Sequence, residues 1–123
     1  MEAEHKFWLD KAESDLKHAE SSLGMHAFDW AQLASQQSAE KALKAVCIFN
    51  GIGLLKTHDL SLLAKKLNAP TQITKKAGLL NHFYSSSRYP DATINDEQET
   101  TTTKEAIDAA KEILKWCKEK IKT

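Results

Sequence analysis

The chain has 123 residues, 41% hydrophobic and 28% charged, and its seventeen basic and seventeen acidic side chains cancel. That size buries a core as one domain spanning residues 1–123, and the even balance excludes an overall electrostatic grip on nucleic acid. No run approaches the eighteen or so apolar residues of a membrane span, and MEAEHKFWLD lacks the basic, apolar, small-residue order of a leader, so the expectation is a cytoplasmic protein with no membrane partner.

Residues 4 to 23 predict a first helix, with His5, Trp8, Ala12, Leu16, Ala19 and Leu23 at helical spacing and Gly24 just past its end. Asp15 falls at the edge of that stripe, where an acid needs a partner: a neighbouring helix, or a functional role. Met25 to Ala27 make a short turn, so the first two helices should run antiparallel.

From Ala27 to Asn50 there is no proline or glycine, and Ala39, Ala42, Leu43, Val46 and Phe49 recur at spacings of three and four. Small side chains from Ala31 to Ala45 allow close approach on several sides, which predicts a central second helix. Gln37, Lys41 and Lys44 share one face of it, and Glu40 is placed to pair with Lys44 four residues on. Two amines and an amide in a row are a candidate phosphate site or a solvated face with one salt bridge.

The helix ends at Asn50 and Gly51, and NGIGLLKT releases the helical geometry. Thr57 is a candidate N-cap for a third helix with Leu60, Leu63, Ala64 and Leu67 inward and Asp59 in its first turn. His58, a lone imidazole there, is an orienting group or a catalyst. Ala69 and Pro70 stop that helix. Thr71 is a candidate cap for a fourth helix holding Ile73, Ala77, Leu80 and Tyr84.

The stretch from Ser85 to Thr103 is polar and without apolar period. Pro90 biases Tyr89 away from helix, so Arg88 and Tyr89 should stand at the end of the fourth helix, a guanidinium fork and a stacking ring suited to a nucleotide. Arg88 bridging to Asp15 or Asp91 is the structural alternative. Thr102 and Glu105 form a capping-box pattern before a fifth helix over the last twenty residues. The whole is an all-α, antiparallel up-and-down bundle of four to five helices.

Charge is segregated along the chain: residues 1–40 are net −5, 41–88 net +7, 89–108 net −5 and 109–123 net +3. The basic middle third suits a polyanion, or the acidic first helix within the fold or across a dimer. Cys47 and Cys117 lie in helical apolar patterns and read as reduced core thiols. The five histidines have no metal-ligand spacing, and there is neither a glycine-rich phosphate loop nor a nucleophile elbow, so no metal or cofactor is expected.

Taken together, AESDL at Ala12 to Leu16, QQSAEKALKA at Gln36 to Ala45, THDL at Thr57 to Leu60 and SRYPD at Ser87 to Asp91 resemble the HEPN domain family over nearly the whole chain. The resemblance implies a helical bundle that commonly forms a homodimer. It also implies nucleotide binding or RNA cleavage, often beside a small nucleotidyltransferase in a toxin–antitoxin or stress setting. Its ribonuclease branch pairs an arginine with a histidine four to six residues later, and here no histidine follows Arg88. Metal-independent cleavage needs a group that moves protons near neutral pH, so only His58 or His82 is left to substitute.

Three functions therefore compete. The leading one is a nucleotide- or RNA-binding module using Lys41, Lys44, Arg88 and Tyr89, with Asp15, Gln37, Glu40, Asp59, Pro90 and Asp91 orienting them. The second is a metal-independent ribonuclease with a degenerate motif, carried by Arg88 with His58 or His82. The third is a non-catalytic protein-interaction bundle.

Overall fold

A computed structural model of the chain describes residues 3–84 and 95–122. Helix α1 spans Glu4–Gly24, α2 Phe28–Phe49, α3 Leu60–Lys66 and α4 Thr71–Asn81; a 3-10 turn covers His82–Tyr84, and α5 spans Asp96–Ile121. Among the described residues there is no strand.

The alanine-rich sequence of α2 makes it the axis. It packs broadly on α1 and α5 and also meets α3, α4 and the 3-10 turn. Ala31, Ala39, Ala42 and Ala45 are wholly buried, and where α1 crosses, Ser38 Oγ donates to the Ala12 carbonyl at 2.7 Å. Only small side chains permit such contact between helix backbones. The core continues through Leu43, Val46, Leu60, Leu63, Leu80 and Ile113.

The α1–α2 hairpin is antiparallel, with Lys44 over the Trp8 ring near one end and Trp30 beside Ser22 near the turn. α5 runs antiparallel to α1, since Lys118 pairs with Glu13 and Lys111 with Glu20. Cys47 and Cys117 are free and buried in the core, and burial raises both thiol pKa values. No helix among the described residues is long and apolar enough to cross a membrane.

Helix ends differ from their sequence expectations. Gly24 is the last residue of α1, and the left-handed position is taken by His26 at φ 59°, where the Ala27 N–H reaches back to the Ser22 carbonyl. Asp59, not Thr57, caps α3: its carboxylate accepts from the Leu62 N–H at 3.2 Å, while Thr57 Oγ1 accepts from the Asp59 N–H. Thr71 is the first residue of α4, after Pro70, and gives no side-chain cap.

The largest difference is α5, which begins at Asp96 and is capped by the Asn95 and Gln98 box rather than by Thr102 and Glu105. Thr100 and Thr101 turn their hydroxyls onto the carbonyls of Asp96 and Glu97, so this polar run is helical without an apolar stripe of its own. Asp96, Glu97 and Glu99 in its first turn suit the positive end of the helix dipole.

Candidate functional site

Four polar residues of α2, Gln32, Gln36, Glu40 and Lys44, repeat every fourth position and so stack along one line of the helix. All four are buried, between 0% and 7% exposed. Polar groups taken out of water need partners, and the ladder supplies them upward and sideways. Gln32 Nε2 donates to Glu99 Oε2 and Thr103 Oγ1 of α5, each at 2.9 Å. Gln36 Nε2 donates to Glu40 Oε1 at 3.1 Å, and Gln36 Oε1 is left buried with no hydrogen-bond partner among the described residues.

Glu40 is the junction. Its Oε2 accepts from Lys44 Nζ at 2.8 Å, and its Oε1 lies 3.0 Å from Nδ1 of His58 in the α2–α3 connection. Burial pushes the carboxyl pKa up. Hydrogen bonds from Lys44, His58 and Gln36, together with the Lys44 charge, outweigh that push and hold it below the usual carboxylate value. Lys44 also stands 5.9 Å from the centre of the Trp8 ring, so its ammonium has an acid on one side and an aromatic face on the other.

Two glycines turn the chain toward this junction. Gly51 and Gly53 adopt φ of +81° and +95°, turning the chain out of α2 so that His58 returns beside Glu40. Beyond His58, Asn81 locks the start of α3: its Oδ1 accepts from the Leu60 N–H at 2.7 Å and its Nδ2 donates to Asp59 Oδ1 at 2.9 Å. The Asn81 bond, with the Leu62 N–H, lowers the Asp59 pKa.

Of the residues singled out from sequence, Glu40, Lys44 and His58 come together in one cluster. Asp15 finds its partner in Lys41, at 2.6 Å. Gln37 is half-buried one turn away, lining a hollow with Asp15, His18 and Trp30. Lys41 and Lys44 therefore do not form an open row of amines; each is held by an acid. His82 is exposed, edge-on to Phe83. Arg88, Tyr89, Pro90 and Asp91 lie outside the described residues. Sequence reasoning missed Gln32, Gln36, Trp8 and Asn81; the Gln-Gln-Glu-Lys repeat at every fourth position was the available signal for the first two.

The arrangement holds one carboxylate ionised, fixes one imidazole nitrogen and places an ammonium against a ring. Among the described residues no group of three or more His, Cys, Asp and Glu side chains is placed to hold a metal. The cluster, the cap on α3 and the α5 contact all fall within residues 5–120, the span matched by the family model for the HEPN domain. The chain belongs to the HEPN domain family.

Solved structures agree with that assignment. The chain is similar to TT1696 from Thermus thermophilus, with 31% identity and a TM-score of 0.82, over 94% of this chain and 97% of that one. It is also similar to ST0689, an archaeal HEPN homologue, with 33% identity and a TM-score of 0.81, over 98% of this chain and all of the other. A HEPN domain protein from Thermotoga maritima shares the fold at 24% identity and a TM-score of 0.79, over 92% of this chain and 95% of its own. No curated protein matches.

Proposed function

We propose that this HEPN protein is a nucleotide- or RNA-binding module. The observation that carries the reading is the set of exposed lysines on α3 and α4. Residues 41–88 are net +7, and Lys65, Lys66 and Lys75 are exposed and form no ion pair among the described residues. Lysines left without acids are the ordinary means of holding phosphates, whereas Lys41 and Lys44, already paired, serve better as a rigid border than as a grip. Arg88 and Tyr89 are the proposed phosphate fork and base-stacking ring.

In this reading the protein works in the cytoplasm as a homodimer or beside a nucleotidyltransferase subunit, in a toxin–antitoxin or stress setting; the support is family resemblance. Calorimetric titration with ATP, GTP and short single-stranded RNAs tests the binding. Heat of binding that disappears in Arg88→Ala with Tyr89→Ala supports it, and no heat at millimolar ligand ends it.

A second reading has its own support. A carboxylate 3.0 Å from His58 Nδ1 fixes the orientation of the ring, and a positioned imidazole is the usual group for moving protons in such chemistry. This suits a metal-independent ribonuclease in which His58 stands in for the histidine absent after Arg88. Cleavage of transfer or messenger RNA that His58→Ala abolishes is the expected result; intact RNA, or cleavage untouched by that change, removes the proposal.

A further inference from the structure

The connection from α2 to α3 is fastened at its two ends. It leaves α2 through the Ile52 and Gly53 N–H groups, which both donate to the Cys47 carbonyl, at 2.9 and 3.2 Å. It closes where His58 Nδ1 lies 3.0 Å from Glu40 Oε1. Cys47 and Glu40 are seven residues apart on α2, about 10 Å at the usual rise. Lys44 stands between them on the same side of the helix, bonded to Glu40 and buried with it. The connection therefore runs back along the side of α2 that carries the Glu40–Lys44 pair.

Its middle is held lightly. Among the described residues the backbone of residues 54–58 makes one hydrogen bond, from the Thr57 N–H to the Leu55 carbonyl, and that bond lies within the connection itself. Leu55 rests against the core, while Ile52 and Leu54 are 42% and 41% exposed. From Gly53 to His58 is five residues, which reach about 17 Å when extended, against roughly 10 Å to be crossed. The segment has slack and can lift with both ends in place. Gly51 and Gly53, at φ of +81° and +95°, are the pivot at one end. At the other, the Asn81 contacts to Leu60 and Asp59 hold the start of α3.

We propose that residues 54–58 form a lid over the Glu40–Lys44 pair, latched by His58 on Glu40, which opens as a local unit while the bundle stays folded. Segments with few buried contacts and no backbone ties to the core open at lower free energy than the core itself. Closed, the lid keeps the ion pair dry. Open, it admits water to both charges and takes the imidazole off its carboxylate. Opening is thus a control on the imidazole described above, yet the lid does not depend on that chemistry, and its test uses no RNA.

Trypsin reads the opening, because Lys56 is the one lysine or arginine between Lys44 and Lys65. The initial rate of cleavage after Lys56 in the folded full chain is followed by fragment mass. Each rate is divided by that of a synthetic peptide of residues 50–64 carrying the same substitution. Cleavage of the wild type should be measurable and flat across low urea, as a local opening requires. His58→Ala should speed it roughly tenfold, the effect of losing a hydrogen bond to a charged acceptor. His58→Asn, whose side-chain amide still donates toward Glu40, should bring the rate most of the way back. The proposal is overturned by no cleavage after Lys56 in the folded chain, or by cleavage that climbs with urea in step with global unfolding. An unchanged rate in His58→Ala, or a rate in His58→Asn as fast as in His58→Ala, overturns it as well.

Discussion

Glu40→Gln is the sharpest probe of the α2 cluster. The substitution keeps the shape and removes the charge, so Lys44, 7% exposed, is left facing a neutral amide with only the Trp8 ring for compensation. Taking one partner from a buried ion pair costs about 3 to 5 kcal/mol, because the remaining charge stays desolvated. The long lysine stem gives some relief by reaching toward water, which puts the expected loss near the lower figure, about 3 kcal/mol. For a domain of this size that is a fall in melting temperature of roughly 12 °C.

The pH dependence has a definite sign. Glu40 in the folded chain titrates below its ordinary value of 4.5, so its contribution is present above that pH and is lost as pH falls through the lower folded value. The gap between wild type and Glu40→Gln should therefore be full at pH 7 and close in strong acid. Adding Lys44→Met to Glu40→Gln removes the stranded charge and should recover at least about 1 kcal/mol by urea unfolding. If Glu40→Gln melts within a degree or two of wild type at pH 7, or if Lys44→Met brings no recovery, the buried pair is not what holds this cluster.

Three further outcomes follow from the same geometry. Asn81→Ala removes the acceptor for the Leu60 N–H and the donor to Asp59, and should cost about 1 to 2 kcal/mol, with faster amide exchange confined to α3 and its approach. Ala39→Leu forces a larger side chain into a wholly buried position on the bundle axis and should cost about 1 to 3 kcal/mol in denaturant unfolding, while Ala34→Leu, at a half-buried position, should cost less. Cys47 and Cys117, buried and with raised pKa values, should react with a thiol reagent at neutral pH only as fast as the chain unfolds. Rapid labelling of either in the native protein would contradict that.

The bundle was readable because its core obeys helical spacing. Leu60, Leu63 and Ala64, or Ala106, Ala110, Ile113 and Cys117, announce their faces by period alone, and the alanines of α2 announce a close-packed axis. The start of α5 was not readable that way. Residues 96 to 103 carry no apolar stripe, and their helix rests on the Asn95 cap, threonine hydroxyls bonded to carbonyls four residues back, and a contact from Gln32 that is distant in sequence. The cap of α3 was misplaced by two residues because Thr57 and Asp59 are both good caps locally, and Asn81, twenty-two residues from Asp59, favours the second.

The candidate site was legible in pieces. The Glu40–Lys44 pair follows from spacing within one helix, and a partner for Asp15 follows from its place beside a buried stripe. That His58 closes on Glu40 does not follow from local pattern, since it depends on how Gly51 and Gly53 turn the chain. Nor does periodicity reveal that Lys41 is engaged by Asp15 and so unavailable as an open amine.

The most direct test of the binding account is the salt dependence of affinity for a short single-stranded RNA, measured by fluorescence anisotropy for wild type and for Lys65→Ala with Lys66→Ala and Lys75→Ala. Each lysine that neutralises a phosphate contributes about 0.7 to the slope of log affinity against log salt on single strands. The account predicts measurable binding by the wild type and a slope shallower by about 2 in the triple variant. Binding of equal strength and equal slope in both proteins, or none in either, would contradict it.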